Sequence, residues 1–206
     1  MGVWDQVDRK FFTQNGLPLT DEYAKIITVL GFEAGAHYVH AELGLDMDES
    51  EIVDEWNEMA RESYEHTVEL KPGVVHYLNW LHESGIALGI ATSNKRMLAE
   101  PALINNGIYD LFSAIVYTED VGAPKTKPDV YLHTAQLLKS SASRSVVFED
   151  TVTAIKTAGN AGFRTVGVFD NHQQQDTALL QHHCDLFVRR FSEVLPGATL
   201  HDTVLA

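Results

Sequence analysis

Short apolar runs set the strongest constraint on what this chain can fold into. Ile86-Ala87-Leu88-Gly89-Ile90-Ala91, Ala114-Ile115-Val116-Tyr117, Ser145-Val146-Val147-Phe148, Thr165-Val166-Gly167-Val168 and Leu186-Phe187-Val188 recur through the second part of the sequence. They are continuously apolar rather than alternating, which predicts strands buried on both faces. Helical segments lie between them. One runs from Val74 to Glu83 and ends at Gly85. A second follows Asn94 and is interrupted by Pro101. A third starts at Pro128 and reaches Lys139, and a fourth spans Val152 to Ala161. Strands and helices in alternation predict an α/β fold built on a parallel sheet.

Before Lys71-Pro72-Gly73 the pattern is helical only. Trp4, Val7, Phe11 and Phe12 fall at helical spacing and stop at Asn15-Gly16, with Pro18 beyond. Thr20 has the character of an N-cap for a second helix carrying Tyr23, Ile26, Ile27 and Leu30. Gly31 separates it from a third, Phe32 to Leu43. Asp48 or Ser50 caps a fourth, in which Ile52, Val53, Trp56, Met59, Ala60 and Tyr64 make one apolar stripe. The expectation is a small all-helical bundle over 1–70 and an α/β core over 71–206.

Charge narrows the partners. The formal net charge is −14 over 206 residues, so a nucleic-acid backbone or an anionic membrane surface would be repelled. A small phosphorylated substrate remains compatible if a divalent cation mediates its binding. Cys184 is the single cysteine, which excludes an internal disulfide and points to a reducing, cytoplasmic compartment. No apolar run reaches the length of a membrane span, and Met1-Gly2-Val3-Trp4-Asp5 lacks the form of a signal peptide. The oligomeric state is open, with a monomer favoured.

In parallel sheets ligands bind beyond the carboxyl ends of the strands. The residues there are Thr92-Ser93-Asn94, Thr118-Glu119-Asp120, Glu149-Asp150-Thr151 and Phe169-Asp170-Asn171. Glu149 and Asp150 offer adjacent carboxylates of the kind that Mg²⁺ prefers, or alternatively a solvated strand end and a helix cap. Thr92, Ser93 and Asn94 stand at a strand-to-helix turn, where hydroxyl and amide groups hold phosphate oxygens or simply cap the helix. Lys125, in a loop before a helix, is either a charge-neutralising group or a solvated lysine. His37 and His40 lie three apart but lack an evident third ligand. His182-His183-Cys184-Asp185 has a metal-binding composition, yet reads better as the lead into the last strand.

Taken together, three of these elements resemble motifs of the haloacid dehalogenase superfamily. The run Ile86 to Asn94 resembles motif II. Lys125-Thr126-Lys127-Pro128-Asp129-Val130-Tyr131 resembles motif III, in the register that selects Lys125 rather than Lys127. Val147-Phe148-Glu149-Asp150-Thr151, continuing to Ala161-Gly162-Phe163, resembles motif IV, with Ala154 in place of a glycine. The helical segment is similar to the small C1 cap of the β-phosphoglucomutase-like branch.

The resemblance implies a Rossmann-like parallel sheet with a helical cap that closes over it. It also implies Mg²⁺-dependent hydrolysis of a small phosphate monoester through an aspartyl-phosphate. Thr92 and Lys125 would be catalytic, Ser93 and Asn94 would bind substrate, and Asp150 with Glu149 would hold Mg²⁺. One element departs from the pattern. The family opens on a strand ending in Asp-x-Asp, which carries the nucleophile, and nothing of that form precedes Trp4. Asp5 and Asp8 have a different spacing on a helix. The sequence therefore reads as lacking the central first strand, with Met1 an internal methionine and the 206 residues inactive alone. The strands ending at Thr92 and Glu149 would then either pair directly or leave the core gapped. A phosphomutase and a non-enzymatic binding module are the alternative readings.

Overall fold

The computed structural model describes residues 3–18, 20, 23, 26, 30, 32–171 and 176–195. Met1, Gly2, Ile27 and Gly31, which the sequence reading uses, lie outside them. The chain divides into two compact units, Met1–Val68 and Glu69–Ala206.

In the first unit the described helices are α1 (Val3–Gln14), α2 (Phe32–Ala41) and α3 (Glu49–His66). The apolar stripe of α1 is buried through Val7, Phe11 and Phe12. Phe11 meets the buried Trp56 of α3 edge to face, with ring centroids 5.4 Å apart. Tyr64 is only half-buried. Between α1 and α2, Tyr23, Ile26 and Leu30 are helical, and the Thr20 hydroxyl accepts a hydrogen bond from the Tyr23 N–H at 3.2 Å. That is the capping geometry its sequence position predicts. Asp48, not Ser50, takes the cap of α3, and its N–H donates to the Glu51 carboxylate at 3.1 Å. His37 and His40 are engaged elsewhere. His37 pairs with Glu49 at 2.8 Å, and His40 bonds the Met47 carbonyl at 2.9 Å.

The second unit alternates helix and strand. Its main helices are α4 (Val74–Glu83), α5 (Arg96–Asn105), α6 (Thr118–Val121), α7 (Asp129–Leu137), α8 (Val152–Asn160) and α9 (Thr177–His183). Its strands are β1 (Gly89–Thr92), β2 (Ala114–Tyr117), β3 (Val146–Glu149), β4 (Arg164–Val168) and β5 (Leu186–Val188). Every pairing is parallel. Among the described residues the strands form two ladders, β1–β2 and β3–β4–β5, and β1 does not pair with β3. The strands ending at Thr92 and Glu149 therefore do not pair directly among the described residues. Val146, at the start of β3, remains 54% exposed, although an apolar strand in a covered sheet should be buried. One apolar cluster nevertheless spans both ladders. Val116 of β2, Val130, Tyr131 and Ala135 of α7, Ala154 and Ala158 of α8, and Phe163 form it, with Ala91 and Val147 against its edge.

Two local expectations are corrected. The first strand starts at Gly89 rather than Ile86, because Ile86 is consumed in closing α4. Its N–H donates to the Leu81 carbonyl at 3.0 Å, and Gly85 donates to His82 at 2.9 Å. This is a Schellman closure, and Gly85 supplies the positive φ (+74°) that it needs. The helix after Asn94 is not interrupted, since α5 runs through Pro101. A proline there removes one ladder hydrogen bond without ending the helix. Elsewhere β4 depends on Gly167, where an added Cβ would sit 3.0 Å from the Cys184 sulfur and 3.1 Å from the Phe187 ring. No helix among the described residues is long and apolar enough to cross a membrane.

One carboxylate of the helical unit is held out of its ordinary state. Burial, with a smaller contribution from Asp5, raises the Asp8 pKa from 3.8 to about 6. Well below pH 3.8 the group is protonated in both the folded and unfolded chain, so it costs nothing. Between about pH 4 and 6 the unfolded chain ionises first, and stability falls until the folded group ionises as well. Asp8→Asn should therefore raise Tm by roughly 2–4 °C at pH 7.5 and by less than about 1 °C at pH 4. Thermal melts at both pH values check this, and an equal shift at the two would refute it.

Candidate functional site

The chemistry collects at the carboxyl ends of β1, β3 and β4. Glu149 ends β3, with 10% of its side chain exposed, and takes two donors on one oxygen. Lys125 Nζ bonds its Oε1 as a short ion pair, and the Tyr131 hydroxyl donates to the same atom at 2.9 Å. Both contacts go to Oε1. Burial, followed by the Glu149 charge, pushes the Tyr131 phenol well above its usual range, so it stays a donor. Lys127, two residues along the same loop, is exposed. The structure thus brings Lys125 and Glu149 together and leaves Lys127 apart.

Asp150 follows directly. Burial raises its pKa, and the neighbouring charges of Glu149 and Asp170 add to the shift, while Lys71 opposes it. Carboxylates gathered at strand ends, with Asp150 holding its proton more tightly than usual, form a donor set that a hard divalent cation would relieve. Among the described residues no three carboxylate, imidazole or thiol groups converge as a metal site. Glu149 and Asp150 would therefore contribute part of a coordination shell. The donors fit Mg²⁺ in kind, because all are hard oxygens.

At the end of β1 the Thr92 hydroxyl accepts from the Asn94 N–H at 3.0 Å, and the Asn94 side-chain oxygen accepts from the Lys95 N–H at 2.9 Å. These bonds shape the turn into α5, as the capping alternative expects. The Thr92 O–H proton and the Asn94 amide protons remain as donors, and Ser93 is exposed beside them. The turn is tied to Glu149 through α7, which lies against β1 and β2 and carries Tyr131.

Asp120, at the end of β2, serves the framework. It accepts from the Tyr117 N–H at 2.9 Å and pairs with Arg96 at 3.3 Å. Asp170, beyond β4, is buried and pairs with Lys71 at 2.7 Å, and Lys71 also donates to the Phe169 carbonyl at 3.0 Å. Sequence reasoning marked Asp170 only by its place after a strand and missed Lys71 altogether. No local pattern announces a contact between residues 99 positions apart. Cys184 is buried in the core and does not join His182 and His183 in a cluster.

Residues 7–168 match the family model for haloacid dehalogenase-like hydrolases. Among curated proteins, the "Putative phosphatase YhcW" of Bacillus subtilis (strain 168) is 29% identical over 167 residues, 78% of this chain and 73% of that protein. The validoxylamine A 7'-phosphate phosphatase of Streptomyces hygroscopicus subsp. limoneus is 30% identical over 122 residues. That match takes in 59% of this chain but only 55% of the relative. Among solved structures, a "putative beta-phosphoglucomutase" from Thermotoga maritima superposes with a TM-score of 0.81 at 22% identity, over 93% of this chain and 92% of that one.

The three-residue knot on Glu149 has a measurable stability. Lys125→Met leaves a largely buried carboxylate with one donor fewer and should cost about 1–3 kcal/mol, whereas Tyr131→Phe should cost about 0.5–1.5 kcal/mol. Because both act on one oxygen, the double variant should lose less than the sum. Urea denaturation at unchanged m checks this, and strict additivity would mean that the two side chains act independently.

Proposed function

The chain belongs to the haloacid dehalogenase-like hydrolase family, and on that premise we propose that it serves the Mg²⁺-dependent hydrolysis of a small phosphate monoester. The observation that carries the reading is Lys125 held on Glu149 with Asp150 beside it, at the carboxyl end of β3. The phosphatase relatives agree in reaction class.

In this reading the residues divide by chemistry. Thr92, Ser93 and Asn94 offer hydroxyl and amide protons to phosphoryl oxygens at the turn into α5. Lys125 neutralises charge as the phosphoryl group transfers, and Glu149 holds its ammonium in place. Asp150, with Glu149, would hold Mg²⁺, which supplies further charge neutralisation when bound. The helical unit, residues 1–70 of the sequence reading, is assigned as the cap.

Transfer through an aspartyl-phosphate requires a nucleophilic carboxylate. Asp5 and Asp8 lie on α1 in the other unit, Asp120 is tied to Tyr117 and Arg96, and Asp170 is paired with Lys71. We assign the nucleophile to none of them. It belongs instead on a strand lying between β1 and β3, which do not pair with each other among the described residues.

Residues 1–206 alone should then give no turnover of p-nitrophenyl phosphate with Mg²⁺ above a protein-free control. The same chain preceded by a strand-forming segment ending in Asp-x-Asp should turn over. In that longer protein Asp150→Ala should abolish Mg²⁺-dependent activity. Lys125→Ala should lower kcat by about 10²–10³-fold, and Lys127→Ala by less than about twofold. Turnover by residues 1–206 alone would overturn the placement of the nucleophile. A larger loss at Lys127 than at Lys125 would overturn the register.

A further inference from the structure

Asp170 is the one charged residue among the described residues that is buried, at 6% exposure. Carrying a carboxylate out of water is costly unless it is paired, and a well-packed apolar residue often serves stability as well. Asp170 lies two residues past the end of β4. The register that sets Glu149 of β3 beside Gly167 of β4 brings Asp150 to the same edge of the ladder. Lys71 reaches that edge from the segment before α4, with Nζ fixed between Asp170 Oδ2 and the Phe169 carbonyl. Its side chain is 39% exposed, against 6% for that of Asp170.

We infer that Lys71 and Asp170 are positioning residues that balance charge beside the candidate cation site at Glu149 and Asp150, so that its affinity is set by the pair and not by the two ligands alone. The inference rests on the metal reading given above. Asp170 adds a negative charge at the ladder edge that carries Asp150, which attracts a divalent cation. Lys71 offsets most of that charge and holds the carboxylate off the ion. Neither residue needs to touch the metal, because charges at such separations act through space in a partly buried site.

The two halves of the pair should have opposite effects, which a merely structural contact would not produce. Free Mn²⁺ is measured by electron paramagnetic resonance during titration of the 206-residue chain, with folding followed by circular dichroism. Lys71→Gln keeps a donor for the Phe169 carbonyl and loses the charge, so it should tighten Mn²⁺ binding by roughly 3–10-fold. Asp170→Asn should weaken binding by roughly the same factor, and the double variant should return within about twofold of the unaltered chain. Lys71→Arg, which keeps the charge, should bind as the unaltered chain does.

Weaker binding in both single variants, or unchanged binding in both, would overturn the inference. So would a double variant as weak as Asp170→Asn, which would make Asp170 a ligand. If the unaltered chain binds no Mn²⁺ this inference falls, while Mg²⁺-dependent turnover of the longer protein still decides the metal reading; if Asp150→Asn leaves Mn²⁺ binding unaltered, the metal reading itself fails and this inference falls with it. The Asp150→Asn arm thus separates the two failures.

Discussion

Glu149 joins what the backbone leaves apart. The β1–β2 and β3–β4–β5 ladders share no strand pairing among the described residues, yet α7, which lies on the first, reaches the last residue of β3 through Tyr131. Lys125, from the loop that precedes α7, closes on the same oxygen. A carboxylate at 10% exposure persists only where such donors surround it. The polar knot at the strand end and the apolar cluster of α7 and α8 beneath it therefore hold the two ladders in common.

Below that knot the fold follows ordinary burial. Tyr131 meets Phe163 with ring centroids 6.2 Å apart, on the side of β3 covered by α7 and α8. Phe148 points elsewhere, into a second aromatic group with Tyr77 of α4 and Phe191. Alternate side chains of one strand thus feed two layers, as a doubly covered strand requires. Gly167 admits the Cys184 sulfur and Phe187 against β4, a closeness at which an added Cβ would force its neighbours to shift.

The charge distribution follows a related logic. A chain of net charge −14 concentrates Glu149, Asp150 and Asp170 at neighbouring strand ends and pairs Lys125 with Glu149 and Lys71 with Asp170. Each lysine is fixed by a carboxylate and a second contact, a ring for Lys125 and a carbonyl for Lys71. The site is thus specified by opposed charges in fixed geometry, an arrangement in which small differences decide whether a cation or a phosphate is welcome.

The sequence by itself determined the periodicities and therefore the elements. Continuous apolar runs can be satisfied only as covered strands, and amphipathic runs only as helices with one face buried, so α/β class and the helical first segment were legible residue by residue. The cap at Thr20 was legible for the same reason, since its partner lies three residues away, whereas Asp48 and Ser50 were left open until the structure chose Asp48. The motif resemblance singled out Lys125, Glu149 and Asp150. Tertiary structure alone decided which atoms those residues meet. It put Tyr131 on Glu149, turned Ile86 from strand into helix closure, carried α5 through Pro101 and set Lys71 against Asp170. The physical reason is range: propensity and periodicity act over a few residues, whereas an ion pair between positions 71 and 170 exists only once two distant segments share an edge of the same ladder.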